Sequence, residues 1–264
     1  MSKLTMAGLT DPGRLRPENE DCIAFYPDVG LALLADGMGG HRAGEVASRM
    51  AVDVMARYCV DSFAGEGKRP PALDILREAI NAANAAIYEM ARHNADYAGM
   101  GATVVTALFQ NGELHVGHAG DSRLYRLRAG RLEPMTQDHS VVQELLNRGL
   151  VTPEQARQSV SKNLVTRALG VEPGLQADFQ TLTIRNGDLY LLCSDGVNDV
   201  LSDAEIEYLL STPDAGTEAI AERIVEAANA AGGPDNISVI VTRTEGEFRR
   251  TRKAAQQLQR RLEK

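Results

Sequence analysis

Four aspartates stand in separate turn contexts: Asp36 in ALLADGMGG, Asp121 in HAGDSR, Asp195 in LLCSDGVND and Asp235 in GGPDNISVIV. Three directly follow apolar runs (Leu31–Ala35, Val116–Gly120, Leu189–Ser194), and the fourth directly precedes one. Acidic side chains placed this way sit at the ends of buried strands, where several can converge on one point. Two bare carboxylates about 4 Å apart repel by about 4 kcal/mol at an effective dielectric near 20. Such a cluster calls for cations, and oxygen ligands of this kind suit hard metal ions. An isolated Asp-Gly pair is most often only a turn. Asp36, however, leads from an apolar strand into a helix, and glycine at 37 lets a main-chain carbonyl approach as a further oxygen ligand. Asp195-Gly196, followed by Asp199, and Asp235-Asn236 after Gly-Gly-Pro each also read as plain turns at strand ends. Glu18-Asn19-Glu20-Asp21 adds carboxylates, though a charged run also reads as a solvated face. Arg16, five residues before Asp21, brings a planar guanidinium that matches two phosphate oxygens.

The elements that must position these groups fit an ordinary globular core. The chain has 264 residues, 44% hydrophobic, without a low-complexity tract. No apolar stretch approaches the roughly 18 residues needed to span a bilayer, and the N-terminus lacks an apolar signal-peptide core. Three cysteines (Cys22, Cys59, Cys193) in apolar contexts read as core residues of a protein in a reducing cytoplasm. A formal charge of −8 argues against nucleic acid as a partner. Residues 247–264 carry seven Lys/Arg against two Glu, which leaves −13 for residues 1–246.

Short strands are expected at Leu4–Thr10, Cys22–Tyr26 and Gly30–Asp36. A helix from about Ala43 to Val60 follows, with the stripe Val46, Met50, Val54 and Tyr58 widened by Ala47 and Ala51. A second runs from about Pro71 to Asn94. Ala102–Phe109, Glu113–Ala119 and Ser122–Arg128 read as a meander joined by QNG and AGD turns. A helix near Val141–Arg148 precedes a polar excursion at Thr152–Asn163. Strands return at Ala177–Ile184 and Asp188–Cys193, then helices at Asp203–Leu210 and Thr217–Ala231, and a last strand at Ile237–Thr244. Turns this short imply antiparallel neighbours with helices on the sheet faces, hence one α+β domain.

Read in order, R-x-x-x-E-D (Arg16–Asp21), ADGMGGHRAGEVAS (Ala35–Ser48), GATVVTALF (Gly101–Phe109), GDSR (Gly120–Arg123), CSDGVND (Cys193–Asp199) and PDNISVIV (Pro234–Val241) resemble the motif series of the metal-dependent Ser/Thr protein phosphatases of type 2C, the PPM family, in its bacterial form. The resemblance covers about residues 5–244. It implies a four-layer α-β-β-α sandwich, two antiparallel sheets flanked by helices, with residues 1–246 as the catalytic domain and 247–264 as a basic C-terminal tail. Asp36 resembles the ligand bridging two Mn²⁺ or Mg²⁺ ions, and Asp195 and Asp235 resemble further ligands of the first. The Gly37 carbonyl resembles a ligand of the second, and Glu20 resembles a ligand held directly or through water. Asp121, with Asp195, matches a third, weaker ion site. Asp21 and Asn236 would stand behind the ligands, and Arg16 matches the phosphate-binding arginine.

The implied chemistry is hydrolysis of phosphoserine and phosphothreonine by a hydroxide bridging two ions about 3.5–4 Å apart. Arg16 would balance charge on the phosphoryl oxygens, and no phosphoenzyme would form. Such an enzyme would act as a monomer on phosphorylated proteins and oppose a Ser/Thr kinase. Alternatives are a catalytically weak regulator that binds phosphoproteins, or a phosphatase of other phosphoesters. Many eukaryotic relatives carry a histidine where Met38 stands; His41 is a candidate substitute, but a packing role for it and a metal-bound water as proton donor are expected. Gly149–Gly170 coincides with the variable flap beside the cleft in bacterial relatives, with a plain surface loop as the alternative. The basic tail reads either as a solvated, frayed end, the favoured alternative, or as a helix for a partner or membrane surface, with Phe248, Ala255, Leu258 and Leu262 as its stripe.

Overall fold

Period-two alternation sets the layers. On β3 (Leu31–Met38), Leu31, Leu33 and Ala35 face one way and Ala32 and Leu34 the other, and all five are fully buried. A strand buried on both faces lies between two packed layers. The computed structural model describes residues 3–40, 42–66, 70–152, 155–156, 164–212, 215–246 and 248–263. In it β3 belongs to a sheet ordered β2-β3-β5-β6-β9, formed with β2 (Asp21–Tyr26), β5 (Val104–Gln110), β6 (Glu113–Ala119) and β9 (Asp178–Thr183). A two-residue strand, β4 (Gly101–Ala102), pairs with the end of β3. The second sheet is ordered β1-β11-β10-β7-β8, from β1 (Lys3–Asp11), β7 (Arg123–Arg128), β8 (Arg131–Pro134), β10 (Leu189–Cys193) and β11 (Ile237–Glu245). Every strand pairing is antiparallel.

The inner faces meet in a core that includes Ala32, Leu34, Phe109, Val116, Tyr190, Leu192 and Ile240, where Phe109 and Tyr190 pack edge to face with ring centroids 5.4 Å apart. Helices α1 (Ala43–Ala64) and α2 (Ala72–His93) cover the outer face of the β3 sheet. A single turn, α4 (Asp195–Asn198), with α5 (Asp203–Leu210) and α6 (Thr217–Ala230), covers the other sheet. The four-layer sandwich expected from the sequence is present. Between β8 and β9 in the chain, α3 (Val141–Asn147) starts at Ser140, whose side chain accepts from the Gln143 amide. No helix among the described residues is long and apolar enough to cross a membrane.

Four local expectations are corrected. The strands at 113–119 and 122–128 are not hairpin neighbours: β6 and β7 belong to different sheets, so Ala119–Ser122 carries the chain across the sandwich. The strand expected at 102–109 is broken at Thr103, between β4 and β5. On α1 the buried face is Ala43, Ala47, Ala51 and Met55, while Val46, Met50 and Val54 are half-buried and Tyr58 is exposed. Small residues let α1 lie close to the sheet and to α2, and that closeness decides which face turns inward. Finally, the segment expected to fray forms α7 (Arg252–Leu262), whose Ala255 and Leu258 are buried in the core shared with α1. Just before it, the Arg250 guanidinium lies 3.4 Å from the Phe63 ring centroid, and its Nε donates to the Val29 carbonyl at 2.7 Å. His41 lies outside the described residues, as do residues 153–154 and 157–163 of the expected flap.

Candidate metal centre

Each carboxylate is delivered by a strand end at one edge of the sandwich. Asp36 sits near the end of β3 and faces Asp21 across the β2–β3 pairing. Asp195 opens α4 two residues after β10, and Asp235 lies two residues ahead of β11. β3 belongs to one sheet and β10 and β11 to the other, so the acids meet where the two layers join. Arg16, Glu20, Asp36, Gly37, Asp121, Asp195 and Asp235 line one cavity of about 230 Å³. Asp21 stands behind it, buried, and accepts from the Ser194 hydroxyl at 2.8 Å.

Electrostatics show how strongly these carboxylates act on one another. Burial, and then the neighbouring Asp21, Asp195, Asp121 and Asp235, push the Asp36 carboxyl well above the usual range. Burial followed by Asp121 and Asp235 does the same to Asp195. Burial is also the leading cause for Asp21 and Asp121, each pushed up to about 6, and for the upward shift of Glu20. Buried oxygens Glu20 Oε1, Asp21 Oδ1 and Asp195 Oδ1 have no hydrogen-bond partner. Buried polar atoms are ordinarily paired, so acceptor oxygens left bare around one cavity fit the coordination of divalent cations. The donor set is all oxygen, which suits Mn²⁺ or Mg²⁺ rather than a soft metal.

The frame around the ligands is tightly held. Gly37 N–H donates to the Glu20 carbonyl at 3.1 Å. A Cβ at Gly37 would lie 2.0 Å from the Gly44 carbonyl oxygen and 2.7 Å from that of Glu20, so only hydrogen fits between β3 and the start of α1. Asn236 Oδ1 accepts the Glu20 amide at 2.8 Å, and its Nδ2 donates to the carbonyls of Pro12 and Glu18 at 3.0 and 2.9 Å. Thus Asn236 fixes the loop that carries Arg16 and Glu20. Arg16 is half-exposed, and its Nη2 donates to Asp235 Oδ2 at 2.7 Å. The cysteines take no part: burial pushes Cys22 up to about 11 and Cys59 and Cys193 up to about 12, so none offers a thiolate at neutral pH.

The family model for protein phosphatase 2C matches residues 18–241. The chain belongs to the protein phosphatase 2C family. It is 41% identical over 244 residues to the serine/threonine protein phosphatase PstP of Mycobacterium tuberculosis, covering 90% of this chain but only 44% of that protein. With the serine/threonine phosphatase stp of Listeria welshimeri it shares 37% identity over 238 residues, 88% of this chain and 92% of the relative. The crystal structure of a PstP catalytic domain in complex with two manganese ions superposes with a TM-score of 0.83 at 38% identity, over 93% of this chain and 100% of that one.

Two side chains of this phosphatase 2C site escaped the sequence reading. Thr103 donates its amide to the Asp36 carbonyl at 2.8 Å, accepts the Asp36 amide at 3.3 Å, and shares a 2.7 Å hydrogen bond with Ser122. Ser194 reaches Asp21 and also accepts the Ser238 amide at 3.0 Å. Thr103 lies in a quoted motif, GATVVTALF, where a hydroxyl inside an apolar run was the available signal.

Proposed function

We propose that the chain hydrolyses phosphoserine and phosphothreonine in proteins, with residues 1–246 as its catalytic domain and two Mn²⁺ or Mg²⁺ ions as cofactors. The observation that carries this reading is the single cavity in which five carboxylates and Arg16 meet. When bound, the cations would supply a water of lowered pKa and positive charge for the phosphoryl oxygens. Asp36, Asp195, Asp235, Glu20 and the Gly37 carbonyl would hold them, and Asp121 with Asp195 would take a third, weaker ion. Arg16 would bind two phosphate oxygens through its planar fork. Its half-exposed position leaves it free to exchange Asp235 for substrate. Met38 also lines the cavity and has no proton to give the departing serine or threonine oxygen.

The physiological counterpart would be a Ser/Thr kinase whose phosphoproteins are the substrates, and the chain would act as a monomer in the cytoplasm. Three free thiols fit a reducing compartment. The deciding experiment is hydrolysis of an aryl phosphate and of phosphoserine, phosphothreonine and phosphotyrosine peptides, with Mn²⁺ or Mg²⁺ and with EDTA. Turnover with metal and none in EDTA is expected; equal rates in EDTA would rule the reading out.

Arg16→Ala is expected to lower kcat/KM by about 10²-fold, the order seen when one oriented donor is removed. Inhibition by inorganic phosphate should weaken in parallel. Arg16→Lys should recover only part of the loss, because an ammonium lacks the fork. Unchanged kcat/KM in Arg16→Ala would remove Arg16 from the phosphate site.

A further inference from the structure

His139 joins two walls of the metal cavity. Its ring Nδ1 accepts the Gly120 amide at 3.2 Å, and its own amide donates to the Gly120 carbonyl at 2.9 Å. On its other side, the Thr166 amide donates to the His139 carbonyl at 2.8 Å, and Ser140 bridges to Val165, which lines the cavity. Nε2 lies 3.3 Å from Asp178 Oδ2 and 3.2 Å from Arg167 Nη1, which itself donates to Asp178 at 3.1 Å. The ring is buried, at 7% exposure, and stacks on His118 with centroids 4.7 Å apart and planes 12° from parallel. His118, His139 and Asp178 come within metal-binding reach of one another. Stacking argues against a shared ion, because each imidazole lone pair lies in its own ring plane and parallel rings do not aim at a common point. Burial, and then His118, hold His139 below the usual histidine range, so its ring is neutral and Nδ1 keeps the lone pair that Gly120 uses.

Gly120 has little freedom of its own. It has φ +111°, and a Cβ there would lie 2.5 Å from Thr103 Cβ, so the loop before Asp121 passes close to Thr103 on one side and is hydrogen-bonded to His139 on the other. We propose that His139 is a positioning residue: by accepting the Gly120 amide it sets the Asp121 carboxylate in the cavity, and through Ser140 and Thr166 it couples that carboxylate to the wall at Val165. The proposal rests on the reading of Asp121 as ligand of the third, weaker ion. Removing a group that orients a ligand typically costs 10–100-fold in metal affinity.

Calorimetric titration of Mn²⁺ into the metal-free protein tests this without recourse to turnover. His139→Ala should weaken the weakest class of sites about 10–100-fold and leave the tighter pair in place. His139→Asn puts Oδ1 where Nδ1 was and should restore most of the affinity. His139→Gln, whose oxygen reaches the Nε2 position instead, should not. Wild-type titration by His139→Ala, or an Asn variant as weak as Ala, overturns the proposal. Asp121→Asn separates it from the reading beneath it, since a wild-type titration by that variant sinks the third-ion assignment itself. Hydrogen exchange at the Gly120 amide, in EDTA, then still reports on His139. Protection lost in His139→Ala and kept in His139→Asn supports the positioning role, and protection kept in both overturns it.

Discussion

Asp36→Asn is expected to abolish catalysis and to stabilise the metal-free protein. Losing a carboxylate proposed to hold the cations would remove several kcal/mol of charge stabilisation, which is at least about 10³-fold in rate. The stability effect has the opposite sign because Asp36 is buried among other acids that push its carboxyl upward. A carboxyl whose folded pKa exceeds its unfolded value binds its proton more tightly in the fold. Its penalty is absent below the unfolded pKa and grows as pH rises through the folded one. Asp21 and Asp121, pushed up from 3.8 to about 6, place that window between about pH 4 and somewhat above pH 6, and Asp36 and Asp195 extend it upward. Thermal melts in EDTA should therefore show a midpoint that falls as pH rises across this range. Saturating Mn²⁺ should flatten the slope, and Asp36→Asn should raise the EDTA midpoint at pH 7 by several degrees. A variant that melts below the wild type in EDTA, or one that keeps its activity, would contradict the assignment.

Gly37→Ala is expected to be the most damaging small substitution. Its methyl would meet the main-chain oxygens of Gly44 and Glu20 at 2.0 and 2.7 Å, and backbone on both sides cannot rotate away. Either α1 moves off β3 or the Glu20 loop retreats, and both disturb the wall that carries Glu20, Asp36 and Gly37. Overpacking of this kind costs about 1–3 kcal/mol, and a displacement of about 1 Å at a reacting centre can cost 10²-fold. Reduced Mn²⁺ affinity and at least that loss of kcat should accompany a modest fall in melting temperature. Near-normal affinity and turnover would show that the Gly37–Gly44 approach is not needed by the site.

The acids were legible because each adjoins an apolar run, and strand ends are where local pattern and tertiary position coincide. What escaped was decided by distant partners. Ala119-Gly120-Asp121 looks locally like a hairpin turn; only the pairing of β6 with β9 and of β7 with β8 and β10 shows that it crosses between sheets. The inward face of α1 is set by alanines whose weak apolarity hides behind Val46 and Met50, although they allow the closest approach. α7 was obscured because only Ala255 and Leu258 are buried on it, in a segment dominated by arginine. Thr103 and Ser194 carry no periodic signal, since their work is to hold main chain and carboxylates in place; Asn236, which shares that work, was reached only through the family resemblance.

The division of the carboxylates between the two sheets gives the interlayer core a second task. Asp36 rides on one slab, and Asp195 and Asp235 ride on the other, so the gap an ion must fit is gauged by the side chains stacked between the slabs. Leu34, Phe109, Tyr190 and Leu192 act as the shim of a caliper whose jaws are the acids. Thinning or thickening that shim opens or closes the jaws without touching a ligand. The spacing of the acids across the cavity is thus set from the molecule's greasy middle as well as from its polar rim.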